Sequence, residues 1–261
     1  MKEQKEMIDI ELPTQITKAE RVNPKTMVIF GLAKCGKTTE LSKLPNNLII
    51  DVEDGTEFVD SLKLKVPKDL GPVGKFAWLN KVAQKIHNDG HPYDYVTIDT
   101  FSELDSLAEW NGTFRYMNSS QGVKFNRDAT GKMLPYGHPD YESVQTLPNG
   151  YGYRWSRDEI MSMYDVLCNL GKICTIFVCH VADKSIVSKL TNQEVVTRDI
   201  SLVGKTRDIL ARKVDAIGYL YNEEGKAMIS FKGNEEKIGG NRAKHLAGYD
   251  GPLDWNKIFI K

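Results

Sequence analysis

The sequence of 261 residues has no excess of charge of either sign, because 35 Lys and Arg residues balance 35 Asp and Glu residues. Domains that bind nucleic acid usually carry a clear positive excess. The neutral balance therefore disfavours a protein that binds DNA tightly through its whole surface. It leaves open a local basic strip that contacts DNA.

Long hydrophobic runs are also missing. No segment approaches the roughly 18 apolar residues that a membrane helix needs. The first residues, MKEQKEMIDIELP, mix charges of both signs and contain no apolar core segment. We therefore expect no secretory signal and no membrane partner, and we expect a cytoplasmic protein.

Cysteine is scarce, with four residues at Cys35, Cys168, Cys174 and Cys179. The last three precede His180 in a C-x5-C-x4-C-H arrangement, which is not a usual zinc spacing and contains no C-x2-C pair. Cys174 and Cys179 also lie in the apolar run CTIFVC, which predicts a buried strand. We interpret them as reduced thiols of a protein core.

What is present is the composition of an ordinary globular protein, with 41% hydrophobic and 27% charged residues. Its length fits one large domain. We predict a leader over residues 1–24 and a single α/β domain over residues 25–261. Irregular insertions are expected at about residues 117–153 and about residues 181–213.

Apolar segments rich in β-branched residues alternate with segments of helical periodicity. The predicted strands are TMVIFG, NLIIDVEDG, YDYVTIDT and ICTIFVCH, and the predicted helices cover about residues 37–44, 73–89, 102–116 and 156–170. This alternation indicates a parallel sheet with crossover connections. Two later segments, SIVSKLTNQEVVTRDISL and VDAIGYLYNEEGKAMISFKG, are typical of β-hairpins. We predict a doubly wound α/β fold whose mainly parallel sheet is extended by antiparallel C-terminal strands.

One short segment, GLAKCGKTT at residues 31–39, matches the G-x-x-x-x-G-K-[ST] pattern of a phosphate-binding loop. A predicted strand precedes it and a predicted helix follows it, as such a loop requires. Backbone N–H groups of this loop surround phosphates, its lysine reaches the β- and γ-phosphates, and its final hydroxyl binds Mg²⁺. We therefore expect ATP and Mg²⁺ as ligands. The predicted nucleotide-binding residues are Gly31, Lys34, Cys35, Gly36, Lys37, Thr38 and Thr39.

Two predicted strands downstream of this loop end in carboxylates. Asp99 closes YVTIDT, the usual form of a Walker B strand, and we expect it to join Thr38 at the Mg²⁺ site. Asp51, Glu53 and Asp54 close LIIDVEDG, where a carboxylate can orient the attacking water. One acid at a strand end is as readily a solvated side chain, but two such strands in this order favour a catalytic role.

His180 closes the fourth predicted strand, ICTIFVCH. The carboxyl ends of the strands in an open α/β sheet border the crevice that binds ligands. A polar side chain there can sense the γ-phosphate and transmit the signal to the next loop. A histidine that is satisfied by local backbone groups is the alternative.

The segment that follows, residues 184–213, has seven basic and three acidic residues and so a local charge of +4. Its basic residues are Lys184, Lys189, Arg198, Lys205, Arg207, Arg212 and Lys213. A solvated face explains most runs of this kind, and contact with a phosphate backbone is the alternative. Aromatic residues between positions 114 and 155 leave a similar choice, between stacking on single-stranded bases and packing against the domain.

Several segments in this order, GLAKCGKTT, LIIDVEDG, YDYVTIDTFSEL, GYGYRW, TIFVCH, and KVDAIGYL followed by GGNRAK, resemble the RecA-like ATPase core. More narrowly, the chain resembles short bacteriophage RecA-core proteins, a nucleotide-binding AAA-domain family that includes single-strand annealing recombinases. The resemblance covers about residues 24–245. It implies a RecA-like P-loop fold, ATP hydrolysis that DNA stimulates, and a location in the bacterial host cytoplasm.

The resemblance also implies roles for individual residues. Lys37 and Thr38 would bind phosphate and Mg²⁺, Asp99 would be the Walker B acid, Glu53 would polarise the attacking water, and His180 would stand where relatives carry a γ-phosphate sensor, commonly a glutamine. The implied DNA-binding residues are Lys184, Lys189, Arg198, Lys205 and Arg207, and the residues implied to reach a neighbouring subunit's nucleotide are Lys232, Arg242 and Lys244. The implied partners are single-stranded DNA, further copies of the chain in a ring or filament, and a single-strand-binding protein.

Two other functions stay open from the sequence. An AAA-type helicase loader or remodelling ATPase would share most of these residues, but such proteins place a glutamate directly after the Walker B aspartate, and here Asp99 is followed by Thr100. A small-molecule kinase normally has an arginine-rich lid, and no compact arginine cluster follows the third predicted strand. We expect no sizeable N-terminal or C-terminal DNA-binding domain and therefore no handling of duplex DNA.

Overall fold

The computed structural model describes residues 12–187, 194–234 and 237–260. Its strands are β1 (Thr26–Gly31), β2 (Asn47–Asp51), β3 (Leu62–Lys65), β4 (Tyr95–Asp99), β5 (Cys174–Val187), β6 (Glu194–Ile200), β7 (Ala216–Glu223), β8 (Lys226–Ser230), β9 (Gly240–Asn241) and β10 (Asp250–Pro252). Its helices are α1 (Lys37–Leu41), α2 (Pro72–Asp89), α3 (Phe101–Met117), α4 (Gly152–Leu167), α5 (Thr206–Lys213) and α6 (Trp255–Ile258). Residues 12–24 of the predicted leader form no helix or strand, and Lys189 lies outside the described residues.

A single sheet organises the chain, with strands in the order β10-β8-β7-β1-β5-β4-β2-β3. The neighbours from β7 to β3 are all parallel. Strands β8 and β10 extend the sheet in antiparallel fashion beyond β7. The predicted fold class, a P-loop α/β fold with a mainly parallel sheet and antiparallel C-terminal strands, is therefore confirmed.

The strand β1 shows why the parallel strands are continuous apolar runs in the sequence. Val28 and Phe30 pack into a core on one face of the sheet, and Met27 and Ile29 pack into a second core on the other face. Parallel strands that are covered on both faces have no solvent-facing positions, so the usual alternation of apolar and polar residues disappears. Helices α2, α3 and α4 contribute to the first core, and α1 and the C-terminal segment contribute to the second.

The structure differs from the sequence prediction at two strands. Strand β3, with the sequence LKLK, is missing from the prediction; it lies at the edge of the sheet, where Leu62 is half-exposed, so its apolar signal is short and weak. Strand β5 continues past His180 to Val187, beyond the end of the fourth predicted strand, and its antiparallel pairing with β6 confirms the hairpin predicted in the following segment. We call Val181–Ile200 the β5–β6 hairpin, of which residues 181–187 and 194–200 are described. In the described ranges, no helix is long and apolar enough to cross a membrane.

The described segment between α3 and α4 contains no α-helix or β-strand, and its aromatic residues largely pack on one another. Tyr116 has ring contacts with Phe125, Tyr151 and Trp155 at centroid distances of 5.4, 6.5 and 5.5 Å. A second group joins Trp110, Tyr136 and Tyr141. These contacts favour the packing explanation for the aromatic residues over base stacking.

Candidate active site

The phosphate-binding loop connects β1 to α1 and requires glycine at two positions. A Cβ atom at Gly31 would lie 2.3 Å from the carbonyl oxygen of Leu220, so a side chain there would push β7 away from β1. Gly36 has a φ of 95°, in the left-handed region that glycine adopts without strain. The first glycine therefore serves strand packing, and the second serves the turn into α1.

Lys37 lies across the inside of this loop. Its Nζ donates hydrogen bonds to the carbonyl oxygens of Gly31 at 3.0 Å and Leu32 at 2.8 Å, and the residue is buried. Charged phosphate oxygens form stronger hydrogen bonds with an ammonium group than neutral carbonyl oxygens do. The buried ammonium is thus suited to the predicted phosphate-binding role.

The predicted Mg²⁺ residues lie in direct contact. Thr38 Oγ1 donates to Asp99 Oδ2 at 2.6 Å, and Asp99 is 4% exposed. Burial raises the pKa of the Asp99 carboxyl above its ordinary value, while the hydrogen bond from Thr38 opposes this rise. Mg²⁺ prefers hard oxygen ligands, and a cation beside Asp99 would offset the cost of a buried negative charge. The residues present therefore fit the predicted metal. The peptide bond between Asp99 and Thr100 is cis.

Asp51 fixes the turn that follows β2. Its carboxylate accepts hydrogen bonds from the backbone N–H groups of Glu53, Gly55 and Thr56, at 3.2, 3.1 and 3.0 Å, and from the Thr56 hydroxyl. Asp54 instead forms ion pairs with two lysines, Lys65 and Lys68. Of the three acids after β2, Asp51 and Asp54 are thus engaged in structural contacts, which leaves Glu53 as the candidate for water activation.

Glu53 links the ends of three strands. Its Oε1 accepts a hydrogen bond from the Thr100 hydroxyl and lies 2.8 Å from Nε2 of His180. Because a carboxylate oxygen only accepts hydrogen bonds, Nε2 carries a proton in this contact. The side chains of Glu53 and His180 remain 30% and 38% exposed, so water can reach both. The two residues that the sequence placed on different strands therefore form one polar pair.

The strand register explains why these residues meet. Gly31 is paired with His180 across β1 and β5, and Asp51 is paired with Asp99 across β2 and β4. Gly31, Asp51 and Asp99 end their strands, and His180 ends the part of β5 that pairs in parallel with β1, so all four residues lie at the edge where α/β sheets bind ligands. The adjacent loops then bring Thr38 and Glu53 to the same edge.

Sequence reasoning missed Thr100 as a site residue. Besides contacting Glu53, its hydroxyl accepts the backbone N–H of Glu103 at 3.2 Å and so caps the first turn of α3. The segment from Thr100 to Glu103 has the spacing of a capping box, which is the signal that could have identified it. The side chain therefore joins the start of α3 to the catalytic candidate.

Three further loop residues, Lys34, Cys35 and Thr39, are among the predicted nucleotide-binding residues. The Lys34 side chain is exposed, and its φ is 62°. Thr39 is also exposed. Burial raises the pKa of the Cys35 thiol, against the lowering effect of Lys37, so this thiol is not activated as a nucleophile. Cys174 and Cys179 are fully buried in the core, as predicted.

The basic strip is divided between two faces of the β5–β6 hairpin and its surroundings. Lys184 and Arg207 form ion pairs with the same acid, Asp199. Arg198 points elsewhere and packs over the ring of Tyr219, to whose hydroxyl it donates a hydrogen bond at 3.1 Å. The ion pairs with Asp199 therefore give Lys184 and Arg207 a structural role within the fold.

The other described basic residues of the strip are Lys205, Arg212 and Lys213. Lys213 pairs with Asp165, and Arg212 donates to a backbone carbonyl. Lys205 is exposed at the start of α5. Arg198, Lys205 and Arg212 are therefore the described members of the strip that are exposed and make no ion pair among the described residues, and of these Arg198 and Lys205 belong to the predicted DNA-binding set.

The residues predicted to act on a neighbouring subunit are at the surface of the chain. Arg242 pairs with Asp215 at 3.1 Å, and Asp215 accepts backbone N–H groups of Lys25 and Thr26 at the end of β1 opposite to the phosphate-binding loop. This position excludes a role for Arg242 at its own chain's nucleotide. Lys232 and Lys244 are exposed, which is compatible with a role in trans.

A buried acid on α3, Asp105, lies behind the site. It is 4% exposed and accepts the backbone N–H of Val203 at 2.6 Å. Burial raises the pKa of its carboxyl from 3.8 to about 6, although the hydrogen bond from Val203 opposes the rise. A folded-state pKa above the unfolded value means that this group stabilises the fold fully below pH 3.8 and that the stabilisation is lost as pH rises through about 6.

We therefore expect Asp105→Asn to remove one component of the pH dependence of stability. Relative to the variant, the wild type should lose about 3 kcal/mol of unfolding free energy between acidic and neutral pH. The measurement is denaturant unfolding of both proteins from pH 4 to pH 7, with the exposed Asp158→Asn as control. A constant difference between wild type and Asp105→Asn across this range would contradict the expectation.

A match to a family model agrees with the nucleotide-binding geometry. A family model described as an AAA domain matches residues 23–243. Among solved structures, the chain is similar to a prototypical ATPase from the type III secretion system of pathogenic bacteria, with a TM-score of 0.43 and 12% identity. That similarity covers 82% of this chain and 60% of the other, so the chain spans less than two thirds of that ATPase. No curated protein matches the sequence.

Proposed function

The chain belongs to the AAA domain family of P-loop ATPases, and from this premise we propose that it hydrolyses ATP while acting on single-stranded DNA in phage-type recombination or strand annealing. The observation that carries the proposal is the continuity of β5. This strand holds His180 beside Glu53 at the sheet edge and then continues into the β5–β6 hairpin. A ligand that binds the hairpin would therefore contact the same strand that carries His180 at the hydrolytic site.

Hydrolysis requires a water to attack the γ-phosphorus while the bond to the β–γ bridging oxygen breaks. Glu53 accepts a hydrogen bond from that water and takes its proton. The hydrogen bonds to Thr100 and His180 hold the Glu53 carboxylate in one orientation, which reduces the entropy lost on reaching the reactive geometry. ADP leaves with the bridging oxygen, inorganic phosphate carries the oxygen of the attacking water, and Glu53 returns the proton to the phosphate or to solvent.

Lys37, Thr38 and Asp99 bind the nucleotide and its metal. Mg²⁺, when bound, supplies positive charge that offsets the charge of the triphosphate. The Lys37 ammonium exchanges its carbonyl acceptors for phosphate oxygens, and Thr38 and Asp99 supply oxygen donors for the ion. These roles follow the residue chemistry and the contacts described above.

On the DNA side, the proposal assigns the phosphate contacts to Arg198 and Lys205, because Lys184 and Arg207 are already paired with Asp199. Lys189 remains a candidate from sequence alone. The proposal also includes assembly into a ring or filament, in which Lys232, Arg242 and Lys244 would approach a neighbour's nucleotide, and cooperation with a single-strand-binding protein.

Binding of single-stranded DNA tests this assignment. We expect Arg198→Ala combined with Lys205→Ala to weaken binding of an oligo-dT by roughly tenfold or more, because both phosphate contacts are lost. The dependence of log K on log salt should become shallower by about 1.4, the value for two single-strand contacts. Fluorescence anisotropy over a salt series measures both quantities.

The matched control for this experiment is Lys43→Ala combined with Lys226→Ala. Both lysines are exposed, and Lys43 pairs only with its neighbour Glu40 among the described residues. This double variant removes the same net charge and should leave affinity and salt slope close to the wild type. Equal losses in the two double variants would show that Arg198 and Lys205 make no specific contact.

The family match also favours a second candidate, an AAA-type helicase loader or remodelling ATPase in DNA replication. Such a protein would hydrolyse ATP in response to a protein partner. Wild-type protein that hydrolyses ATP but shows no affinity for single-stranded DNA in the anisotropy experiment would favour this candidate over the first.

A further inference from the structure

The β5–β6 hairpin leaves the sheet at His180 and returns at Ser201, and a single hydroxyl joins these two roots. Ser102 Oγ accepts the backbone N–H of His180 at 3.0 Å and donates to the carbonyl oxygen of Ser201 at 2.9 Å. The roots also contact each other, because the Ser201 N–H donates to the His180 carbonyl at 2.9 Å. Ser102 has one proton, so moving either root breaks one of its two hydrogen bonds.

A second contact holds the same segment one helical turn later. Asp105 lies three residues after Ser102 on α3, and residues at this spacing share a face of a helix. Its buried carboxylate accepts the Val203 N–H at 2.6 Å. We call Ser102 and Asp105 together the α3 clamp.

The clamp is directly connected to the hydrolytic site. Helix α3 begins at Phe101, immediately after Thr100, and the Thr100 hydroxyl donates to Glu53. The backbone of His180 contacts Ser102 while its ring contacts the same Glu53. A shift of the hairpin roots relative to α3 would therefore change the surroundings of Glu53 from two directions.

The Asp105 contact links a buried side chain of α3 to the segment that follows the hairpin. A buried polar side chain is costly unless it is hydrogen-bonded, so the Val203 N–H and the Asp105 side chain favour staying together. Ser102 and Asp105 together hydrogen-bond both roots of the hairpin to α3, so the clamp is a physical link between the two elements.

We propose that Ser102 and Asp105 are positioning residues. When a ligand binds the β5–β6 hairpin, they transmit the resulting shift of the hairpin roots to the Glu53–His180 pair. The proposal rests on the proposed function only in naming single-stranded DNA as the ligand of the hairpin. The link between nucleotide and hairpin does not depend on that identity.

Ser102→Ala removes the hydroxyl that joins the roots. We expect the ratio of ATP hydrolysis rates with and without oligo-dT to fall from its wild-type value to near one, a loss of roughly fivefold or more in coupling. Ser106→Ala is the matched control, since this exposed hydroxyl lies one turn away on α3 and donates only to the Ser102 carbonyl. It should keep the wild-type ratio.

Asp105 offers a conservative rescue. Asp105→Asn keeps an oxygen that can accept the Val203 N–H and should retain the coupling, whereas Asp105→Ala should lose it. If Asp105 served only stability, the coupling in the two variants would fall in step with their melting temperatures. Thermal unfolding of both variants is therefore measured as well. Ser102→Thr retains a hydroxyl and should likewise retain the coupling. If Ser102→Ala does not fold, Asp105→Ala still tests the loss of coupling.

A readout without DNA separates this proposal from the proposed function. Hydrogen exchange of residues 194–203 is measured with and without Mg²⁺ and a non-hydrolysable ATP analogue. The wild type, Ser106→Ala and Asp105→Asn should change protection when the analogue binds, and Ser102→Ala and Asp105→Ala should not. If the wild type binds no DNA but the five proteins show this pattern of exchange, single-stranded DNA is wrong as the ligand and the clamp is supported. An identical exchange response in Ser102→Ala, Asp105→Ala and the wild type would overturn the clamp.

Discussion

Replacing Glu53 by Gln is expected to lower kcat for ATP hydrolysis by roughly 10²- to 10⁴-fold, the usual contribution of a general base. The amide oxygen of the new side chain can still accept a hydrogen bond from Thr100, but an amide cannot take a proton from water. Nucleotide affinity should change little, because the phosphates are held by the loop at residues 31–39 and not by Glu53. Steady-state hydrolysis together with calorimetric binding of ATP distinguishes the two effects.

The neighbouring acid supplies the control for this result. Asp54→Asn makes the same chemical change one residue away, in a side chain that pairs with Lys65 and Lys68. Its kcat should stay close to the wild type. If Asp54→Asn lost activity and Glu53→Gln retained it, the assignment of the two acids would have to be exchanged.

Replacing Lys37 by Ala is expected to weaken ATP binding by about 100-fold or more. In the proposed mechanism the Lys37 ammonium donates charge-assisted hydrogen bonds to phosphate oxygens, and each such bond contributes about 1.5–3 kcal/mol. In the variant the carbonyl oxygens of Gly31 and Leu32 also lose their donor, so the loop itself should become less ordered. Titration with a fluorescent ATP analogue measures the affinity.

Lys43→Ala is the appropriate comparison, because Lys43 lies just after α1 and is exposed. It should bind nucleotide like the wild type. Wild-type affinity in Lys37→Ala would mean that the loop does not hold the triphosphate, and the function proposed above would lose its basis.

Local patterns in the sequence are sufficient to predict most of the sheet. The strands β1, β2 and β4 and residues 174–179 of β5 are buried on both faces, so each appears as an unbroken apolar run in the sequence. The same logic fails for β3, because an edge strand with exposed leucine and lysine side chains has no strong apolar signal. Its existence depends on pairing with β2, which the sequence does not display.

The candidate site is predictable where parallel register alone determines it. The carboxyl ends of parallel strands share one edge of the sheet, so Thr38, Glu53, Asp99 and His180 are expected near the same edge. Their pairwise contacts do not follow from that alone, because β5 lies between β1 and β4, and β4 lies between β2 and β5. The separation of roles among Asp51, Glu53 and Asp54 does not follow, because it depends on which backbone N–H groups and lysines each carboxylate meets. Only the folded turn distinguishes these three acids.

The basic strip shows a further limit of sequence reasoning. A local charge of +4 gives no information about which cations are already neutralised within the fold. Asp199 pairs with both Lys184 and Arg207, although along the chain it counts only as one of three acids in the segment. Contacts across a hairpin and a following helix depend on tertiary geometry, which charge counting along the chain cannot recover.

The most direct test of coupled hydrolysis is the steady-state ATPase rate of the wild-type protein at saturating ATP and Mg²⁺, with and without a single-stranded oligonucleotide. The same sequence in duplex form serves as the comparison. We expect single-stranded DNA to raise the rate by roughly fivefold or more and duplex DNA to raise it much less. A rate that is the same under all three conditions, in protein that binds ATP normally, would contradict the proposed action on single-stranded DNA.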